Sequence, residues 1–191
     1  MKLLSLDPSM TCTGWAVLEG EPGTSGRILE AGTIKTDGST YGVKLSGLAA
    51  QMRAKRAEVL PHVIVVETPF ATPRGGPKGR RSDMTLPAYG MAVAAALLVA
   101  HEEWAAKYPE DWHPVAVIET PSDEWSRGLS KGKRLNRAGV MVPDDNKGAR
   151  VEAVRYFYGI DIRDSATKGD AGNVADAILM GRWALMRQAT N

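Results

Sequence analysis

The chain has 191 residues, 43% of them hydrophobic and 24% charged, with a formal net charge of +2. This is the make-up of an ordinary globular protein long enough for a substantial core, and a net charge so near zero carries no argument for or against nucleic acid. The single cysteine, Cys12, excludes an internal disulfide and any multi-cysteine zinc site.

Residues 2–6 and 15–18 read as strands joined by a Pro/Ser/Thr/Gly turn, and residues 27–35 as a third strand completing a meander. Residues 41–58 carry Leu45, Leu48, Ala49 and Met52 at helical spacing and predict an amphipathic helix stopped by Pro61. Residues 62–67 form a nearly continuous apolar run, the pattern of a strand buried on both faces. Residues 68–87 hold Pro69, Pro73, Pro77, Pro87, Gly75, Gly76 and Gly79 and predict a long loop; loops of that length are usually functional or disordered.

Residues 88–108 predict a strong helix, apolar nearly all round in its first half and so destined for the core or a subunit interface. Residues 115–118 are a fifth strand, and residues 127–142 are basic and irregular. Asp144, Asp145 and Asn146 offer N-caps for a helix running to about residue 158. The last helix is expected over residues 172–188. With no internal repeat and no linker, residues 1–191 read as one α/β domain, a five-stranded mixed sheet with helices on both faces.

The opening residues reach Asp7 too soon for a secretory signal. The most apolar run, residues 91–100, is half the roughly 20 residues a membrane span needs. The expectation is a soluble, cytoplasmic protein with no membrane partner.

Acids punctuate this pattern. Asp7 ends the first strand, Glu67 ends the run Val63-Ile-Val-Val-Glu67, and Asp170-Ala-Gly-Asn173-Val-Ala-Asp176 opens the last helix with Asn173 and Asp176 on one face. Carboxylates converging from separate elements are what hard divalent cations require. Each also has a plainer reading: Asp7 as the start of an Asx turn with Ser9, Glu67 as a solvated strand end, Asp170 as an N-cap. Ile118-Glu119-Thr120-Pro121 repeats the ending Val66-Glu67-Thr68-Pro69, so Glu-Thr-Pro is also readable as a mere strand-exit signal. Asp176 is the sharpest case, because an acid within Val174-Ala-Asp-Ala-Ile-Leu179 needs a partner or a metal.

Leu6-Asp7-Pro8-Ser9, Thr13-Gly14-Trp15-Ala16-Val17, Val65-Val66-Glu67 and Asn173-Val-Ala-Asp176-Ala177 occur in an order and spacing that resembles the RuvC-type Holliday junction resolvases of the ribonuclease H-like superfamily. The resemblance covers nearly the whole chain, and its size and long loops look more like a phage or divergent member. It implies a ribonuclease H-like sheet and a homodimeric, magnesium-dependent endonuclease that nicks two strands of a four-way junction, in a bacterial cell or a phage-infected host. Two Mg2+ ions are implied, with Mn2+ able to substitute. Asp7, Glu67 and Asp176 match three of the family's four metal positions. The fourth, usually Asp and sometimes His, is here Asn173, an uncharged and weaker ligand, and Asp170 stands one turn away as a possible substitute. Lys147 resembles a basic residue that the family holds near the scissile phosphate, which makes it a further catalytic candidate.

Two runs are basic and free of acids: Arg74, Lys78, Arg80 and Arg81, then Arg127, Lys131, Lys133, Arg134 and Arg137. Such runs suit phosphate contacts, though a solvated charged loop is the plainer reading. Phe70, in the loop after Glu67, is a candidate wedge between bases, as the family places an aromatic near the junction centre; packing beneath its own loop is the alternative. Arg150 is a weaker candidate for a phosphate contact. Trp104, Trp112, Trp125 and Trp183 read as core or interface.

Three other functions compete with a junction resolvase. One is a nuclease of the same fold with broader taste for branched DNA or flaps. Another is a non-catalytic junction-binding relative, with Asn173 as the mark of decay. A phosphotransferase of the actin and sugar-kinase type shares an Asp-bearing first hairpin, but one copy of that hairpin in 191 residues fits it poorly.

Overall fold

The computed structural model describes residues 1–68, 85–102, 115–126, 132–135, 141–144, 147–163 and 170–188. Three strands, β1 (Lys2–Asp7), β2 (Cys12–Glu19) and β3 (Arg27–Lys35), form an antiparallel meander. Helix α1 (Tyr41–Val59) leads to β4 (Val63–Thr68), which lies parallel to β1. Helix α2 (Thr85–His101) precedes β5 (Ala116–Pro121), parallel to β4. The sheet runs β3-β2-β1-β4-β5. A short helix α3 (Ser122–Trp125), an antiparallel pair β6 (Gly132–Leu135) and β7 (Met141–Asp144), and the helices α4 (Lys147–Tyr158) and α5 (Ala171–Arg187) complete the described elements.

The mixed five-stranded sheet with helices on both faces is thus as the sequence patterning predicts. On β1, Leu4 and Leu6 join Ile64 and Val66 of β4 in a core beneath α1 and α2. Leu3 joins Val63 and Val65 in the opposite core, beneath α4 and α5. Period-two alternation therefore assigns odd-numbered residues of both strands to the α5 side.

Two expectations need correction. The segment over residues 127–142, read as irregular, contains β6 and the start of β7; its Lys- and Arg-rich composition is poor in β-formers, so pairing is what makes the strand. The loop expected to run through Pro87 ends earlier, at Thr85, because proline is tolerated in the first turn of a helix, where its missing N–H costs nothing. Helix α1 ends as expected just before Pro61: Leu60 takes a left-handed conformation (φ 48°) and donates its N–H to Arg56 O. Residues 103–114, the rest of the segment expected as a helix over 88–108 together with Trp104 and Trp112, lie outside the described residues. Among the described residues no helix is long and apolar enough to cross a membrane.

Candidate metal centre

Asp7 and Glu67 come together through strand register. Leu3, Leu4, Ser5 and Leu6 pair in parallel with Val63, Ile64, Val65 and Val66, and one further step sets Asp7 beside Glu67. Both are odd-numbered, so both project to the α5 side, and both are half-buried. The turn after Asp7 is closed by Thr13, whose hydroxyl accepts from Ser9 N (3.0 Å) and donates to Ser9 O (2.8 Å).

The same register separates Glu67 from its look-alike. Glu119 is level with Val66, while Thr120 is level with Glu67. Glu119 therefore faces the α2 side, where its carboxylate lies 3.7 Å from His101 Nε2. Two identical Glu-Thr-Pro endings, offset by one residue in register, put their acids on opposite faces of the sheet.

Helix α5 brings the third acid. Ser5, buried on β1, donates from its hydroxyl to Ala177 O at 2.5 Å. A Cβ on Gly181 would meet Leu18 and Ser5, and a Cβ on Gly14 would collide with the main-chain carbonyl of Asn173. The helix thus lies directly on β1 and β2, and Asp176 is 4% exposed. Asn173 donates from Nδ2 to Cys12 O at 2.8 Å.

Asp170 occupies the N-cap position of α5, but its side chain makes no capping hydrogen bond. Its carboxylate instead takes Lys35 Nζ at 2.6 Å and accepts from the Cys12 thiol at 3.2 Å. Burial, followed by that hydrogen bond, pushes the Cys12 thiol above its ordinary pKa.

Arg150, on α4, is the feature that sequence reasoning undervalued. Its Nη1 lies 2.5 Å from Asp176 Oδ2, and its guanidinium sits over the Trp125 ring, 5.1 Å from the centroid. Burial works against the charge, but the bond to Asp176 and then the fields of Asp176, Glu67 and Asp7 hold the Arg150 pKa above the usual arginine value. Arg150, partly buried, thus feels the fields of three carboxylates. No local sequence signal marks this, because α4 and α5 meet only in the fold.

The donor chemistry fits a magnesium site in kind: hard carboxylate oxygens from two adjacent strands and a helix, with an amide oxygen at Asn173. The spacing is not that of a closed cage, since among the described residues no three His, Cys, Asp or Glu side chains are gathered closely enough to hold a metal ion. Lys147 opens α4. Lys133 and Arg134 lie on β6. Phe70, Arg74, Lys78, Arg80, Arg81, Arg127, Lys131 and Arg137 lie outside the described residues.

Known proteins resemble the chain in part of its sequence and in its fold. No protein-family model matches the chain. The crossover junction endodeoxyribonuclease RuvC of Wolbachia pipientis subsp. Culex pipiens (strain wPip) is 33% identical over 100 residues, 52% of this chain and 56% of that protein. The chain thus spans little more than half the length of that relative. Thermus thermophilus RuvC in complex with a Holliday junction substrate superposes with a TM-score of 0.66 at 17% identity, covering 100% of this chain and 96% of the other. A second Thermus thermophilus RuvC structure gives 0.61 at 18% identity, over 100% and 97%. The yeast mitochondrial Holliday junction resolvase Ydc2 gives 0.60 at 12% identity, over 98% and 80%.

Proposed function

Taking as premise a chain that is RuvC-like in part of its sequence and throughout its fold, we propose a metal-dependent endonuclease that resolves four-way DNA junctions by paired nicks. The observation that carries the proposal is the convergence of Asp7, Glu67 and Asp176 on one side of the sheet, where Arg150 feels all three. Metal-assisted hydrolysis of a phosphodiester draws on such a set of acids.

Asp7, Glu67 and Asp176 would hold divalent magnesium, with the Asn173 carbonyl oxygen as a weaker fourth donor. Ions held there would supply activation of a water and stabilisation of the leaving oxygen of a phosphodiester. The chain's own residues do the rest. Asp7 is fixed by its strand register, and Asp176 by the docking of α5 on Ser5 and Gly14. Lys147, in the first turn of α4, neutralises phosphate charge in the transition state. The two basic runs and Phe70 grip the junction arms and their branch point. A homodimer sets two sites against two strands of a symmetric junction, which accounts for pairing of the nicks. Residues 1–191 act as one nuclease domain in the bacterial cytoplasm or a phage-infected cell.

The test is cleavage of a labelled four-way junction beside a linear duplex and a simple fork, in Mg2+ or Mn2+, with Asp7→Asn as control. Paired nicks confined to the junction and lost in the control are expected. Equal cutting of the fork would make this a general branch nuclease. Tight junction binding without cleavage in either metal would remove the enzyme and leave a binding protein.

A further inference from the structure

Asp176 is almost wholly enclosed, with 6% of its side chain exposed, and Arg150 meets it with 27% of its own exposed. A charge pair this enclosed is retained only where each member satisfies the other, because either one alone bears an uncompensated desolvation cost. The pair also stands at the position where the proposed site needs Asp176 to face a divalent ion. A guanidinium and a metal cannot share that carboxylate without facing each other at close range, as like charges in a poorly solvated pocket. Trp125 holds the guanidinium from its other side, and the three acids that draw on it are those that would draw on a metal.

We infer that Arg150 is the site's internal counter-ion: it competes with the divalent cation for Asp176, must give up that ion pair when the metal binds, and so sets the metal affinity of the protein. Arg150 is therefore a positioning residue rather than a catalytic one. The inference rests on the metal-site reading above and goes beyond it by naming what the metal has to displace.

The experiment is calorimetric titration of Mn2+, at low ionic strength and without DNA, into the wild type, Arg150→Gln, Arg150→Lys and Asp7→Asn. Arg150→Gln removes the competitor and is expected to bind Mn2+ about tenfold tighter, the scale on which groups beside a metal site act. Arg150→Lys keeps a competing charge and stays near the wild type, while Asp7→Asn loses the binding. Equal or weaker binding by Arg150→Gln overturns the inference and leaves the metal site standing. Absence of any Asp7-dependent binding in both wild type and Arg150→Gln overturns the metal site as well. Should Arg150→Gln fail to fold, a resonance of the wild type decides, with Arg150→Lys and Asp7→Asn as its controls. The Arg150 Nε–H resonance, identified by its loss in Arg150→Lys, must shift on addition of Mg2+ and not shift in Asp7→Asn; an unmoved resonance at saturating Mg2+ overturns the inference.

Discussion

Gly14, on β2, faces the main-chain carbonyl of Asn173 so closely that no Cβ fits between them. This contact seats the first turn of α5 on the sheet and so sets the height of both Asn173 and Asp176. A methyl group at Gly14 meets backbone rather than a flexible side-chain end, so the helix itself must move. Gly14→Ala is expected to cost about 1–3 kcal/mol in urea unfolding, the usual range for overpacking a tight contact. It should also weaken Mn2+ binding, measured by calorimetry, although no ligand has been altered. An unchanged metal affinity would mean that α5 holds its place without this contact.

Asp170 lies between Lys35 and Cys12, which are themselves cross-strand partners on β3 and β2. Its carboxylate ties the start of α5 to the sheet, and we expect Asp170→Asn to leave junction cleavage largely intact. The thiol gives an independent readout. With its pKa raised by burial and then by Asp170, Cys12 should alkylate slowly until the pH passes the ordinary thiol range, and Asp170→Asn should move that rise to lower pH. The folded pKa lies above the unfolded one, so this group's contribution to stability is complete below the unfolded thiol value. It is lost as pH rises through the folded value. Lys35, raised chiefly by its hydrogen bond to Asp170, acts in the same direction. Urea midpoints should therefore fall in alkali more steeply for the wild type than for Asp170→Asn.

Asp7 and Glu67 were legible as a pair because strand alternation and parallel register are local rules, and two apolar strands ending in acids are enough to invoke them. Asp176 was legible because an acid inside Val174-Ala-Asp-Ala-Ile-Leu179 has no inexpensive place in a core. Glu119 was ambiguous for a physical reason: its local sequence equals that of Glu67, and only a one-residue register offset sends it to the other face. Arg150 was not legible in its present role. Nothing in α4 by itself shows which face meets α5, and the same arginine on a solvated face would be an ordinary surface charge. Likewise β6 pairs with β7 through backbone bonds that a lysine- and arginine-rich segment does not announce.

Four cations of the second basic run, Lys131, Lys133, Arg134 and Arg137, are tested together. If these cations contact phosphates, changing all four to Gln reduces the slope of log K against log salt for junction binding. The reduction should approach about 3.6, at roughly 0.9 per phosphate contact. Fluorescence anisotropy over a salt series checks this. The four changes should leave thermal unfolding of the free protein nearly unmoved, and an unchanged slope would assign the run to solvent.

Arg56 gives a test of the scaffold away from the site. It is 6% exposed on α1, and its guanidinium donates to Val99 O and to Glu102 O, the latter at 2.9 Å, thereby capping the carbonyls at the end of α2. Arg53, one turn away, pairs with the Glu102 carboxylate across half-exposed side chains. The two arginines reach the same helix end, but only one is enclosed. Arg56→Met keeps the apolar stem and leaves the buried Val99 carbonyl and the part-buried Glu102 carbonyl without these donors, at an expected cost of about 2–3 kcal/mol. Arg53→Ala should cost less than about 1 kcal/mol, because solvent screens an exposed pair. Urea unfolding of both variants in low and high salt separates the cases: the Arg53 effect shrinks with salt, and the Arg56 effect does not.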